Sequence, residues 1–251
     1  RGAVAAFVAL GLLLWWQSPW SEEPPGGTIT LSTGTRAGVY QKYGELLRTS
    51  LATHMPDLEV RLETSDGSQE NVRRVATGQA DFAIAAADAV ETYRLDDRPG
   101  ADRLRGVARL YDDYVQLAVA RGSGIRTVED LRGKRVAIGP PKSGVRLIAN
   151  RVLEAAGIDP EKDIEPSPDG IDTGPERLGH GLDAFFWSGG LPTDGMRAVT
   201  EEGGLRFVPI DTGLVSKLHE QGGAARHYRA TNMPESAYPG SQLGSAVPTM
   251  A

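Results

Sequence analysis

From residue 27 onward, short apolar runs alternate with stretches whose apolar positions recur every three or four residues. That is the pattern of strands alternating with amphipathic helices, and it predicts an α/β architecture. A strand over 28–33 leads to a helix in which Val39, Tyr43, Leu46, Leu47 and Leu51 share a face, ended by Pro56. Leu58, Val60 and Leu62 alternate as a second strand, before a short helix through Val72, Val75 and Ala76 that Gly78 closes. A buried strand is predicted over 81–87. Extended runs over 104–111 and 115–120, separated by Asp112 and Asp113, are placed to carry the chain between two lobes. Thr127 is read as the N-cap of a short helix over 127–133. A strand over 134–139 precedes a helical stripe of Val145, Ile148, Ala149, Val152, Leu153 and Ala156, stopped by Gly157. Strands over 182–187 and 205–210 and a helix over 214–219 complete the series.

What recurs is the junction. Four strand ends run into turns rich in Gly, Ser and Thr and then into helix starts, at 33–40, 64–71, 139–146 and 187–194. The first helical N–H groups lack internal partners, and the helix dipole makes that end favour an anion or polar group. Glycine lets backbone approach a ligand closely, and open α/β sheets bind ligands beyond the carboxyl ends of their strands. Four such turns predict a polar small-molecule cleft. The spacings fit neither the phosphate-loop nor the dinucleotide motif. The four histidines, His54, His180, His219 and His227, lie outside these turns, and no H-E-x-x-H or G-x-S-x-G is present. No catalytic residues, metal or cofactor are predicted.

Residues 3–16 are a different object, an uncharged apolar run of the kind found in export segments, with Trp15, Trp16 and Trp20 at its end. An N-terminal hydrophobic helix is expected there, uncleaved and serving as a membrane anchor, which puts the remainder outside the cytoplasm. Composition narrows the rest. A net charge of −6 argues against nucleic-acid binding, and the absence of Cys removes disulfide scaffolds and thiol catalysis. Glycine is in excess, at 31 of 251 residues.

The sequence TGTRAGVY at 33–40 resembles the opening motif of the TAXI-type solute receptors of TRAP transporters. So do the GSQEN of 67–71, the ADFAI of 80–84 followed by Asp88, and the VEDLRGKRVAIG of 128–139. The DAFFWSGGLP of 183–192 and the YPG of 238–240 follow in family order. The resemblance implies a two-lobed periplasmic-binding-protein fold of the second type. It implies a receptor that captures a small anionic or zwitterionic solute, such as a glutamate- or glutamine-like amino acid or a dicarboxylate. Delivery would be to an ion-gradient-driven TRAP membrane permease. Boundaries are expected at 1–26 for anchor and linker, 27–114 for lobe 1, 115–205 for lobe 2 and 206–251 for a return to lobe 1. The resemblance also implies that the chain stops short of a further strand and closing helices, leaving apolar surface of lobe 1 exposed.

Carried onto this chain, the first turn offers Thr35, Gly38, Val39 and Tyr40 as ligand contacts, and the second Gly67, Ser68 and Asn71. Asp88 can accept an amine. The later turns offer Lys142, Ser143, Gly144 and Arg146, then Gly189, Gly190 and Pro192. Lys142 and Val145 stand where the family has Gly and Thr, and Ala87 where it has a polar residue, so the ligand can differ from that of other members. Ser68 and Asn71 can also cap their own helix, and Arg36, Lys142 and Arg146, which flank two of the turns, can pair with carboxylates or stand as solvated lip residues. Two other functions fit the same scaffold: a membrane-tethered ligand sensor, and an enzyme, against which the lack of a nucleophile constellation counts.

Overall fold

The computed structural model describes residues 25–239 and 246–251. The apolar run of 3–16 and Gly240 lie outside the described residues, and among those described no helix is long and apolar enough to cross a membrane.

Lobe 1 is built from β1 (Gly27–Ser32), α1 (Val39–His54), β2 (Leu58–Glu63), α2 (Ser68–Ala76), β3 (Phe82–Ala83) and α3 (Ala87–Leu95). Its parallel sheet has the order β2-β1-β3, with Ile29 opposite Val60 and Leu31 opposite both Leu62 and Phe82. The strand predicted over 81–87 shrinks to two paired residues, because β3 meets a neighbour on one side only, where β1 ends. The extended run of 104–111 finds no strand to pair with and crosses between the lobes outside any ladder.

Lobe 2 contains β4 (Tyr114–Ala120), β5 (Arg135–Ala137), α4 (Gly144–Ala155), β6 (Glu165–Ser167), α5 (Gly174–Arg177), β7 (Ala184–Gly189), α6 (Asp194–Glu201), β8 (Leu205–Val208) and α7 (Thr212–Glu220). The sheet order is β6-β5-β7-β4-β8; β5 runs parallel to β6 and β7, and β4 antiparallel to β7 and β8. Strands β9 (Ala230–Met233) and β10 (Val247–Met250) form an antiparallel pair. Thr127 does not cap the turn that follows it. Asp130 reaches back instead, accepting the backbone N–H groups of Arg126 (2.8 Å) and Thr127 (3.0 Å), and only a short 3-10 turn, Glu129–Leu131, forms.

The core is unevenly divided. One cluster fills lobe 2, with Leu117, Phe185, Phe186, Leu153 and Leu205 buried, and it runs on through Tyr228, Met233, Tyr238 and Met250. The sequence reading returns residues 206–251 to lobe 1. In the structure β8 pairs along β4 and the later apolar side chains join the lobe 2 core, while Gly223–His227 packs on α3 of lobe 1. Lobe 1 holds two small clusters, one of Leu31, Val60 and Ile84, the other of Val72, Ala76, Ala89 and Leu104. Leu147 of α4 packs against the second of these and joins the lobes through apolar contact. Among the described residues, all five exposed large hydrophobics, Leu46, Phe82, Leu95, Val107 and Leu110, belong to lobe 1 and the run after it.

Candidate functional site

The strand-to-helix turns of the two lobes meet. Gly67 adopts φ +124°, ψ −153°, a conformation that disfavours any side chain, and a Cβ there would lie 3.5 Å from Gly144 N and Ser143 Cα. Gln69 donates to the Ser143 carbonyl (2.6 Å), and the Glu70 N–H to the Lys142 carbonyl (3.1 Å). A Cβ on Gly144 would sit 2.9 Å from Ser68 Oγ, and one on Gly190 would lie 3.4 Å from both Val39 and Tyr111. Glycine at 67, 144 and 190 therefore permits the close approach of the lobes.

Tyr40 is the polar hub of this junction. Its hydroxyl donates to Asp113 Oδ2 (2.8 Å) and lies 3.2 Å from Ser68 Oγ, which accepts the Ala86 N–H (3.1 Å). Burial and the neighbouring Asp113 carboxyl raise the Tyr40 pKa well above its usual value. Burial also lifts Asp113 to about 6, helped by the charges of Asp88 and Asp112 and opposed by the Tyr40 bond. Three oxygens here are buried without a hydrogen-bond partner: Thr35 Oγ1, Tyr111 OH and Asp113 Oδ1.

The remaining expected residues divide by what they touch. Asn71 is fully buried and spends its whole amide inside lobe 1. Its Oδ1 accepts from Ser32 (2.6 Å) and Ser65 (2.7 Å), and its Nδ2 donates to the Thr33 and Ile84 carbonyls. Ser143 caps α4, accepting the Arg146 N–H (2.9 Å) and donating to the Pro140 carbonyl (2.7 Å). Arg146 turns its guanidinium onto the Gly139 carbonyl (2.9 and 2.7 Å). Burial lowers its pKa. The Lys142 side chain is exposed, as is Pro192. Gly189 is buried against the Trp187 ring, and Gly38 lies beside Thr35 at the start of α1.

Asp88 faces protein rather than the cleft. Its Oδ2 accepts from Tyr228 OH (2.6 Å) and Arg151 (3.2 Å), and its Oδ1 from the Ala89 N–H (2.7 Å). Arg151 also donates to Thr92 (2.8 Å) and lies over the Tyr228 ring. The group spans α3, α4 and the segment after α7. An amine partner for Asp88 is therefore already present within the chain.

A cavity of about 430 Å³ opens between the lobes, lined by Thr35 and Arg36 from the first turn, Thr64, Ser65 and Asp66 from the second, Glu70 and Arg74 from α2, and Asp172 of lobe 2. That volume suits a small solute. Asp172 accepts the Ala37 N–H across the lobes (3.0 Å). Arg74 is held by Glu70 (2.9 Å). Arg36 has no hydrogen-bond or ion-pair partner among the described residues. A second cavity, of about 540 Å³, lies at the opposite pole of lobe 2, where β5 and β7 begin. There Asp183 is committed to Arg135 and Arg132 to Asp163. Of the four turns expected from the sequence, those at 33–40 and 64–71 line this cavity and those at 139–146 and 187–194 do not; Asp66 and Asp172 line it without having been singled out as contacts. The excess of hydroxyl and acidic residues inside 64–71 was the available signal. Among the described residues no cluster of His, Asp and Glu is placed to hold a metal ion.

The raised Asp113 pKa has a measurable consequence. Between its ordinary value near 3.9 and about 6, the folded chain binds more protons at Asp113 than the unfolded chain does, so this group's contribution to stability falls as pH rises through that window. Asp113→Asn keeps an oxygen for Tyr40 and removes the charge. The variant should exceed the parent in stability at pH 7 by up to about 3 kcal/mol and lose that advantage toward pH 4, read by urea denaturation at the two pH values.

Comparison with solved structures places the fold. A protein from Bordetella bronchiseptica RB50 aligns at 16% identity over 88% of this chain and 69% of its own, with a TM-score of 0.57. An ancestral arginine-binding protein bound to arginine aligns at 16% over 72% and 78%, with a TM-score of 0.51. The alkanesulfonate-binding protein SsuA from Xanthomonas axonopodis pv. citri, bound to MOPS, aligns at 19% over 74% and 61%, with a TM-score of 0.50. The chain thus spans 61% of the length of that sulfonate-binding protein. These likenesses establish the two-lobed periplasmic-binding-protein fold expected from the sequence. The family model described as NMT1-like matches residues 31–251, nearly all of the α/β portion built up above, and the chain belongs to the NMT1-like family.

Proposed function

We propose that the chain is an extracytoplasmic solute-binding receptor of the TAXI type, which captures a small organic acid or amino acid between lobe 1 (27–114) and lobe 2 (from 115) and delivers it to an ion-gradient-driven TRAP permease. The observation that carries this reading is the 430 Å³ interlobe cavity, in which the exposed Arg36 guanidinium lacks a partner among the described residues. An unpaired guanidinium is a receptor for carboxylate or sulfonate, groups it can bind with two parallel hydrogen bonds. The ligands bound in the similar structures, arginine and MOPS, are solutes of this size class. The TRAP assignment rests on the ordered motifs from TGTRAGVY to YPG. The apolar run of 3–16 supports export and anchoring.

A thermal-shift panel of carboxylates, sulfonates and amino acids should raise the melting temperature with at least one member. Arg36→Ala should weaken binding of that solute about 10- to 100-fold. Melting in the absence of solute should stay unchanged, since Arg36 holds nothing else. No stabilisation by any member, together with no small molecule released on denaturing the purified protein, would overturn the receptor reading. Ion-gradient-dependent uptake by vesicles carrying a TRAP permease, requiring the added receptor, tests the delivery step.

A further inference from the structure

Charge counting in the interlobe cavity goes further. Five charged side chains line it: Arg36 and Arg74 against Asp66, Glu70 and Asp172. Arg74 and Glu70 neutralise each other through an ion pair of 2.9 Å at low exposure, and Arg74 is further tied to Ser32 and to the Thr64 carbonyl. Glu70 also accepts the Asp66 N–H (2.9 Å). That bond and Arg74 hold Glu70 below its usual pKa against the upward pull of burial. Among the lining residues, what remains for a solute is one cation, Arg36, and two carboxylates; Lys142, whose charge reaches Glu70, stands outside the lining. The Asp66 side chain has no hydrogen-bond or ion-pair partner among the described residues. Asp172 offers the oxygen left over from its bond to the Ala37 N–H. Asp66 belongs to lobe 1 and Asp172 to lobe 2, so a cation between them touches both halves.

We infer that the cavity selects a zwitterion: the acid group of the solute pairs with Arg36, and its ammonium group is taken by Asp66 and Asp172, which exclude dicarboxylates. The inference rests on the receptor reading above and narrows it. A dicarboxylate would bring two negative charges to a cavity holding one free cation and two free carboxylates. One of its ends would meet like charge, and like-charge juxtaposition suppresses a wrong partner. An amino acid or amino-sulfonate matches all three free groups and leaves the cavity near neutrality.

Calorimetric titration of the full chain tests this with matched pairs. L-Glutamine, L-leucine and taurine are each compared with the same acid lacking its amine, alongside succinate and glutarate. At least one zwitterion should bind about 30-fold or more tighter than its deaminated partner and than either dicarboxylate. Asp66→Asn should cut that preference about tenfold and leave the affinity of the deaminated acid nearly unchanged. Because the Asp66 side chain holds no other group, folding of the variant is not at stake. Binding of succinate, glutarate or a deaminated acid as tight as that of the zwitterions would overturn the inference and leave the receptor reading standing. A preference unchanged in both Asp66→Asn and Asp172→Asn would do the same. If no compound of any class binds, the receptor reading falls, and this inference with it.

Discussion

Asn71→Leu should cost about 4 kcal/mol of folding stability and lower the melting temperature by about 10 °C. The arithmetic follows from what the amide holds. Two hydroxyls, of Ser32 and Ser65, and two carbonyls, of Thr33 and Ile84, end on it, and the side chain has no exposed surface. These four groups come from the carboxyl ends of β1 and β3 and from the turn after β2, so one amide fastens the turn-bearing edge of lobe 1. Leucine fills the space and removes all four bonds, leaving Ser32 with Arg74, Ser65 with the Gly67 N–H and the Thr33 carbonyl, and the Ile84 carbonyl without its side-chain donor. Each orphaned group costs about 1–3 kcal/mol, less whatever water or rotation recovers. Asn71→Asp is the sharper control. It keeps the acceptor and loses both donors, so it should destabilise at least as much at neutral pH. Urea denaturation of both variants checks the prediction. A change below about 1 kcal/mol for Asn71→Leu would show that the edge is held by other means.

The second large effect belongs to Arg151. Arg151→Met should destabilise by about 3 kcal/mol at pH 7, because it strands the Asp88 carboxylate in protein with only Tyr228 and one backbone N–H. The sign of the pH dependence follows. Asp88 already has a raised pKa, from burial first, which Tyr228 and Arg151 oppose. Without Arg151 it rises further, so the deficit of the variant shrinks as pH falls and Asp88 takes up a proton. Asp88→Asn combined with Arg151→Met removes the stranded charge and should recover most of the loss. A double-mutant cycle should then report a coupling of about 2 kcal/mol or more. A coupling near zero would mean that the Asp88–Arg151 pair adds nothing to the joint between α4 and lobe 1.

How far the chain could be read without its structure depends on how local each feature is. The four turns were legible because a strand end, a glycine and a helix start follow one another within eight residues and carry their own backbone chemistry. Helix α4 was legible from its single apolar stripe. Strand β3 was overestimated because Ile84 to Ala86 are as apolar as a strand, and composition does not say where a ladder ends. Thr127 was misassigned because Asp130, three residues on, has the stronger acceptor. The role of Asp88 was hidden for a different reason. Its partners lie 63 and 140 residues away, and Tyr228 sits in a stretch with no periodicity to mark it. Asp113 was noticed only as punctuation between two runs, since its pairing with Tyr40 crosses 73 residues. Arg36 could be placed beside a turn but not distinguished from a solvated lip residue, because isolation is a property of surroundings, which the sequence does not display.

The uneven core also determines how the molecule breathes. Lobe 2 shares one large apolar cluster with β9 and β10, whereas lobe 1 hangs on seven buried apolar residues in two clusters, the Asn71 amide and its contacts with α4. Amide hydrogens of β1, β2 and α2 should therefore exchange through partial opening well below the global unfolding free energy, while those of β4 and β7 wait for the whole chain to unfold. A solute held between Arg36, Asp66 and Asp172 would slow exchange in lobe 1 far more than in lobe 2. Occupancy would thus be written into the rigidity of one half.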